Sequence, residues 1–593
     1  MAAAVAFPSS GVPISLRNRL DRRWAAMKTE RSSFDAHIRD IADYMRPRRT
    51  RFTQSKVNKG DRRDTNIVDN TPMIASRVCT SGMSGGLASP ARPWFKYETD
   101  DMALMQVGAV KEWLNLLEAL VRRIFHASNV YNILPTLCDE LSLFGTAASI
   151  VDDHFDRVIH LNALTWGEYC LGIAEDGSVD TLYRECRMSV WQVVRKFVRQ
   201  ANGEMDWNRA SLTVKSLYDS GNYDSWVDVM HAIEPNPDFD PEKMSPLTMA
   251  WRSVYWEPAT SSGPDGNKLL RRSGYRENPI IAPRWEVIGN DVYGQSCPGM
   301  NALGDARQLQ IQQKRKGEAI EKTVRPPTQG PASTANRFVG TLPGYHNVVA
   351  TAANGGDGIR PVYQINPNIA ELVNDIEDTR ERIRQAFFVR DFLPISAMQG
   401  VQPKNQFELS ERKAEGLLVL GPTVERLNNE MLNPLHERVI SRIYEVSEPF
   451  WAVGEQGMLP PPPKELQGRP INILYTGTLA QVQKGVAISG VEQYANFAAG
   501  LIGAGFKDAA LKFDAEQAMD EYADMLGLPV SIVRSDEMVV AMKQAMAEQE
   551  AAARMAQAAP AIRDIAEAGK AASETNIGGG VGALEAMLGN AGQ

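Results

Sequence analysis

The chain has 593 residues, 43% of them hydrophobic and 23% charged, enough for roughly three to five structural units of a large globular protein. Its net charge of −8 and pI near 5.6 exclude a protein that grips nucleic acid by bulk attraction, which needs clustered lysine and arginine to neutralise phosphates. Five cysteines, Cys79, Cys138, Cys170, Cys186 and Cys297, odd in number and without a CxxC pair, argue against a disulfide framework or a structural zinc site and read as reduced buried thiols of a cytosol-assembled protein.

Met1 to Ser15 lacks a basic leader, so no secretory signal is expected. A helical region is predicted from Leu16 to about Arg46. It leads into Pro47 to Arg63, a basic link that reads as a solvated loop, a contact to nucleic acid or to a neighbouring subunit being the alternative. Helical patterns follow around Pro72 to Gly82, around Gln106 to Ser128, with Val110, Trp113, Leu114, Leu117 and Val121 on one face, and over 131–146. From about Ala147 to Trp256 the periodicity changes to that of strands, including Ser149 to Val151 and Val158 to Leu161. Tyr169 to Ile173 and Val179 to Arg187 read as a hairpin about the turn Glu175-Asp176-Gly177, with Val190 to Gln200 a helix packed on it. Further strands are expected at Val227 to Ile233, Leu247 to Trp256 and Trp285 to Ile288. The fold class is α+β.

Two long polar helices then bracket an insert rich in proline and glycine. The first runs from about Asp305 to Arg325, through Lys314-Arg315-Lys316, and stops at Pro326-Pro327. The second runs from Ile369 to about Asp391. Each rod is roughly 30 to 35 Å long. The first has no large apolar residue between Gln312 and Glu318, and the second only a thin seam of Ile369, Leu372, Ile376, Ile383 and Ala386 or Phe387. Helices this polar are flanked by other helices or line a wet passage, because one subunit's core cannot bury them; two solvated surface helices are the blander reading. Cations outnumber acids in the first rod and acids predominate in the second.

Within the insert, Pro326 to Asn366, short strands at Arg337 to Gly340, Asn347 to Ala350 and Pro361 to Gln364 predict a small β lobe. Held between two rods, it sits where a partner can dock, and Arg337, Phe338, Tyr345 and Tyr363 are the docking candidates. Ile395 to Asn405 reads as a mobile loop. A helix from about Phe407 to Glu445 follows, seamed by Leu417, Leu420, Val424, Leu427, Met431 and Leu435 and kinked by Gly421-Pro422 and Pro434. After a break at Leu459 to Pro463 the chain is helical and alanine-rich from about Leu479 to Ala572, with a glycine-rich end. Its most apolar stretch, Val486 to Phe506, is interrupted by Glu492, Gln493 and Asn496, so no membrane span is expected.

Enzymatic signals are weak. Gly82-Met83-Ser84-Gly85-Gly86 satisfies GxSxG, but a nucleophile elbow needs a strand running into the serine, and Met73 to Val78 reads as helix. Gly569-Lys570 lacks the rest of a Walker A motif. His154 and His160 with Asp152, Asp153 and Asp156 match no standard ligand spacing, so neither a metal nor a cofactor is expected.

The block Ser81 to Lys96, which contains Ser84, Gly85, Gly86, Pro90, Arg92, Pro93, Trp94 and Phe95, resembles the signature of the portal, or head-to-tail connector, proteins of short-tailed bacteriophages. Pro298-Gly299-Met300 entering the first rod, Val324-Arg325-Pro326-Pro327 leaving it, Leu420-Gly421-Pro422 and Leu432-Asn433-Pro434-Leu435 follow in the same order. The likeness spans roughly residues 15 to 540.

The resemblance implies a ring of identical subunits, usually a dodecamer, at one capsid vertex of a virion assembled in the host cytoplasm. It implies a wing (1–300), a first stem helix (301–325), a clip (326–367), a second stem helix (368–393), a channel loop (394–406) and a long kinked helix returning to the wing (407–478). A helical crown (479–535) and a C-terminal helix, with a barrel and flexible tail, would complete it (536–593). Double-stranded DNA would pass without being caught, driven by a separate terminase; the terminase large subunit, tail adaptor proteins, capsid and scaffolding proteins are the implied partners. Lys314, Arg315, Lys316, Met398, Gln399, Gln402 and Lys404 are the candidates for the channel wall, pairing of the first three with acids of a neighbour's second rod being the alternative. An internal or scaffold-like virion protein without a channel is the second reading, and a hydrolase built on Ser84 the third.

Overall fold

The computed structural model describes residues 15–52, 66–258, 268–329, 360–361, 369–393 and 420–477, apart from 48, 106, 201, 244 and 456, together with 494–501, 503, 517–519, 522, 538–551, 553, 567 and 570. The chain divides into a larger unit, Met1–Lys96, Leu116–Pro461 and Ile473–Asn496, and a smaller one, Tyr97–Asn115, Pro462–Asn472 and Phe497–Gln593.

Helix α1 (Leu16–Met45) opens where the Ser15 hydroxyl accepts from the Asn18 N–H at 3.3 Å, giving a partner to a donor that the first turn leaves over. Then come α2 (Thr71–Leu87), β1 (Phe95–Glu98), α3 (Gly108–Ala127) and α4 (Val130–Phe144). Gly145 closes α4 in the left-handed region at φ 74°, and a Cβ there would lie 2.6 Å from the Gly294 carbonyl oxygen, so only glycine fits.

The hairpin β2 (Ala148–His154) and β3 (Val158–Leu164) leads into β4 (Tyr169–Ile173), β5 (Val179–Ser189), β6 (Trp226–Pro235), β7 (Trp251–Trp256), β8 (Arg271–Tyr275) and β9 (Ile280–Ile281). Strands β4 to β8 form one antiparallel meander in chain order, while β2 lies between β3 and β9 in a second sheet. Alternation along the meander gives it two apolar faces. One receives α1 through Leu20, Met27, Tyr183, Met230 and Trp256. The other is covered by α5 (Val190–Val193), which continues as a π turn over Val194–Val198, and by α6 (Leu212–Asp219), through Val193, Phe197, Val214 and Val229. Helices on both faces of an antiparallel sheet give the expected mixed α+β class.

The helices expected from Leu16, Gln106 and residue 131 are present within two or three residues of their predicted ends, and the one expected over Pro72 to Gly82 runs on to Leu87. Trp285 to Ile288 is not a strand. Arg284 makes a single bridge to Thr146, and its main-chain N–H and guanidinium both donate to Glu430, at 2.9 and 2.7 Å, so side-chain pairing rather than a ladder fixes that stretch. The start of the basic link turns inward: Arg49 pairs with the buried Glu140 at 2.7 Å, next to Arg46 at the end of α1, which pairs with Asp139 at 2.8 Å. Burial raises the Glu140 carboxyl to about 8 despite the pull of Arg49.

The two rods are α7 (Leu303–Val324) and α8 (Ile369–Ala386). The second stops short of Asp391 because Phe388 takes φ 54°, a left-handed conformation that ends the helix before the single turn Val389–Phe392. Between the rods only the antiparallel pair β10 (Thr328–Gln329) and β11 (Arg360–Pro361) is described. Arg337, Phe338, Tyr345 and Tyr363 lie outside the described residues, as do Met398, Gln399, Gln402 and Lys404.

Gly421-Pro422 opens α9 (Gly421–Leu427) instead of kinking it, since a proline in the first turn has no N–H to waste. A π turn, Asn428–Leu432, joins α9 to α10 (Asn433–Ala452). There the Asn433 N–H bonds to the Asn428 carbonyl, and the widened turn absorbs Pro434 within a continuous helix that passes Glu445. In the C-terminal region, 494–501 and 538–551 are helical. Among the described residues no helix is long and apolar enough to cross a membrane.

Candidate functional site

The rods lie antiparallel, because Arg382 pairs with Asp305 at 3.1 Å while Gln312 donates to Asp375 one to two turns away. Their buried seam is small: Ala306 and Leu309 from α7, Ile376, Thr379 and Ile383 from α8. So little apolar area leaves polar pairing to set the register. Between the rods that pairing is Arg382 with Asp305 and Gln312 with Asp375. Within the second rod and the turn after it, Arg380 reaches Glu377, Arg382 reaches Asp378, Arg384 reaches Glu377 and Glu381, and Arg390 reaches Glu381. Hydrogen bonds from Arg384 and then Arg380 hold the Glu377 carboxyl below its ordinary range.

The first rod's cations differ. Lys314 and Arg315 are exposed and Lys316 is half-buried, and among the described residues no carboxylate lies within 4.0 Å of any of the three. Of the acids of α8, Glu377, Asp378 and Glu381 are engaged by arginines and Asp375 by Gln312, whereas Glu371, which the register places opposite Lys316, is exposed and has no ion pair among the described residues.

A clasp that the sequence did not disclose locks both rods to the segment before α2. Gln310 Oε1 accepts from the main-chain N–H groups of Val68 and Asp69 at 2.7 and 2.8 Å, and its Nε2 donates back to the Asp69 carbonyl at 3.0 Å. The Asp69 carboxylate accepts from Gln313 of the first rod and from Arg380 of the second. An open cavity of about 510 Å³ lies beside it, lined by Ile67, Val68, Asn70, Met73, Gln313 and Arg380 among others. Neither Asp69 nor Gln310 belongs to any motif, and a partner 311 positions away leaves no local signal.

The block around Ser84 is architectural. Ser84 sits in the last turn of α2 with its hydroxyl donating to the Ser81 carbonyl at 3.3 Å, inside a helix and not at an elbow. Gly85 is open on its Cβ side, whereas a Cβ on Gly82 would collide with the Phe392 ring at 2.2 Å. Gly86 precedes the end of α2, and Pro90 and Arg92 form an exposed turn that Pro93 ends. Trp94 and Phe95 then plunge into an aromatic cluster with Phe125, His436 and Tyr475, and Trp94 Nε1 donates to the Tyr131 hydroxyl at 3.1 Å.

His154 and His160 rings stand 6.1 Å apart, but His154 Nδ1 accepts two main-chain N–H groups, Asp152 accepts from Tyr275 and Asn162, and Asp153 pairs with Arg438. Among the described residues no group of three side chains is placed to hold a metal.

The family described as bacteriophage head to tail connecting protein matches residues 17–533. The chain belongs to that family. It is 40% identical over 565 residues to the portal protein of Salmonella phage epsilon15, covering 94% of this chain and 96% of that one. It is 41% identical over 544 residues to a probable portal protein of Bordetella phage BPP-1, covering 91% and 93%. A chain of the virion of a native gene transfer agent particle is similar over 78% of this connector and 90% of its own length, at 13% identity and a TM-score of 0.33, too loose a match to carry the fold. Connector proteins of this family are structural parts of the particle and not enzymes, which agrees with a Ser84 enclosed in helix.

Proposed function

We propose that the chain is a portal subunit, copies of which form a ring at one capsid vertex through which double-stranded DNA enters during packaging and leaves during ejection. The observation that carries this reading is the 40% identity to a portal protein across 96% of that protein's length. Residues 301–325 and 368–393 serve as the stem, 1–300 as the wing, 326–367 as the clip that meets terminase and later the tail adaptors, and 394–406 as the loop toward the DNA. Residues 407–478 return to the wing, 479–535 form the crown, and 536–593 add a C-terminal helix. Capsid and scaffolding proteins surround the ring, which has twelve copies in this reading.

Lys314, Arg315 and Lys316 supply the channel wall with a few cations on an otherwise acidic chain, so phosphates are steered without being retained. Most acids of α8 are engaged within the subunit, which supports this over pairing with a neighbouring second rod, Glu371 being the acid left for such a pair. The experiment is to purify the full chain, measure its mass and view it end-on by electron microscopy. A ring with a central hole is expected; a compact monomer or a solid particle would overturn the reading.

A further inference from the structure

The turn between β2 and β3 carries the most exposed large apolar side chain among the described residues: Phe155 at 103% of its reference area. Nothing about this tip is loose. His154 Nδ1 accepts from the N–H groups of both Asp156 and Arg157 at 3.2 Å, Val158 is held at φ 66°, and Asp153 at the base is tied to Arg438 at 2.7 Å. A β-branched residue in the left-handed region is strained, and such strain persists only where surrounding structure enforces it. A stiff hairpin thus presents one aromatic ring to solvent, which is how a low-entropy anchor is built.

A second exposed aromatic group lies elsewhere in the same unit. Trp191, Tyr223 and Trp226 are 48%, 42% and 53% exposed. Trp191 meets Tyr223 edge-on at 5.9 Å, and Tyr218 and Trp207 extend the row at 5.1 and 5.4 Å. Main-chain bonds from Trp191 to Tyr223 and from Val190 to Ser225 fix the platform. Exposed Lys215, 5.9 Å from the Trp207 ring, and exposed Asp224, between Tyr223 and Trp226, give the platform one charge of each sign, and exposed Asp156 and Arg157 do the same beside Phe155.

A cyclic ring is built from one heterologous contact repeated, so each subunit must carry two different surfaces that fit each other. We infer that Phe155 of one subunit seats on the Trp191, Tyr223 and Trp226 platform of the next, with Asp156 facing Lys215. The inference rests on the portal reading, since a ring of identical subunits demands such a pair. It also supplies the apolar contact that the polar rods lack.

The test uses the full-length native chain, Phe155→Glu, Trp226→Glu and a 1:1 mixture of the two variants, followed by sedimentation and thermal unfolding. The native chain forms a ring. Each variant alone falls to the monomer with an unchanged unfolding midpoint. The mixture gives a two-subunit species and nothing larger, because the intact knob of one variant meets the intact platform of the other while the second junction lacks both. A ring from either variant, or a mixture that stays monomeric, would overturn the pairing while leaving the portal reading in place. Absence of a ring from the native chain would overturn the portal reading itself.

Discussion

Arg380 donates from Nε and Nη2 to one oxygen of Asp69, at 3.1 and 2.7 Å, and so ties the second rod to a segment 311 positions away. Asp69 is 7% exposed. Burial opposes its charge, but bonds from the Thr71 side chain and main chain and from Arg380 outweigh burial and hold its pKa below the ordinary 3.8. A carboxyl depressed in the folded state stabilises above its unfolded value, and that contribution is lost as pH falls through the folded value. Asp69→Asn should therefore cost about 2 kcal/mol at neutral pH, the worth of a charge-assisted hydrogen bond, and the cost should vanish in strong acid. Urea unfolding of both proteins at pH 7 and pH 2.5 checks it; an equal gap at both would refute the electrostatic account.

Gly299 lies against α4 so closely that a Cβ would sit 2.3 Å from the Leu143 carbonyl oxygen, and Cys297 donates to that same oxygen at 3.2 Å. Backbone cannot yield as a side-chain tip can. Gly299→Ala should destabilise by about 2 to 3 kcal/mol through forced displacement of the entry to the first rod. Gly317→Ala, with open space around it in the middle of α7, should instead stabilise by up to about 1 kcal/mol. Thermal unfolding of the two variants side by side separates steric from conformational effects, and a loss at both sites would defeat this argument.

His436 is fully buried among Phe95, Phe125 and Trp94, with ring centroids at 4.4, 5.2 and 5.3 Å. Burial lowers its pKa from 6.5 to about 3. The folded state thus holds it neutral, so stability is intact above pH 6.5 and declines as pH falls toward 3. At pH 5 the loss amounts to about 2 kcal/mol. His436→Phe keeps the aromatic packing and should narrow the gap between unfolding midpoints at pH 7 and pH 5. An unchanged gap would place the acid sensitivity elsewhere.

What the sequence disclosed follows from range. Helix α1, the hairpin of β4 and β5 and the polar rods announce themselves through periodicity, turn residues and the stop at Pro326-Pro327, all readable within a dozen positions. Ile376 and Ile383 were legible as a seam for the same reason. The break at Phe388 was not, because a phenylalanine gives no warning of a left-handed backbone. Trp285 to Ile288 misled because distant contacts override its apolar run: Trp285 stacks on Phe388, Ile288 is exposed, and Arg284 beside them is fixed by Glu430, 146 positions on. The same distance hid the clasp of Asp69, Gln310 and Arg380, whereas Lys314, Arg315 and Lys316 were visible as a charge run whose lack of a carboxylate within 4.0 Å among the described residues is a tertiary property.

That isolation yields a prediction with two separable readouts. Lys314, Arg315 and Lys316 have no carboxylate within 4.0 Å among the described residues, so changing all three to glutamine removes no ion pair there and should leave subunit stability within about 0.5 kcal/mol. If they face DNA, each phosphate left without its cation lowers the slope of log affinity against log salt by about 0.9. The triple variant should then form rings as the native chain does, bind short duplex DNA with a shallower salt dependence, and retain packaged genomes less well. Should the variant instead fail to form rings while its subunits remain folded, the cations hold a neighbouring subunit. The channel would then have to draw its positive charge from another part of the chain.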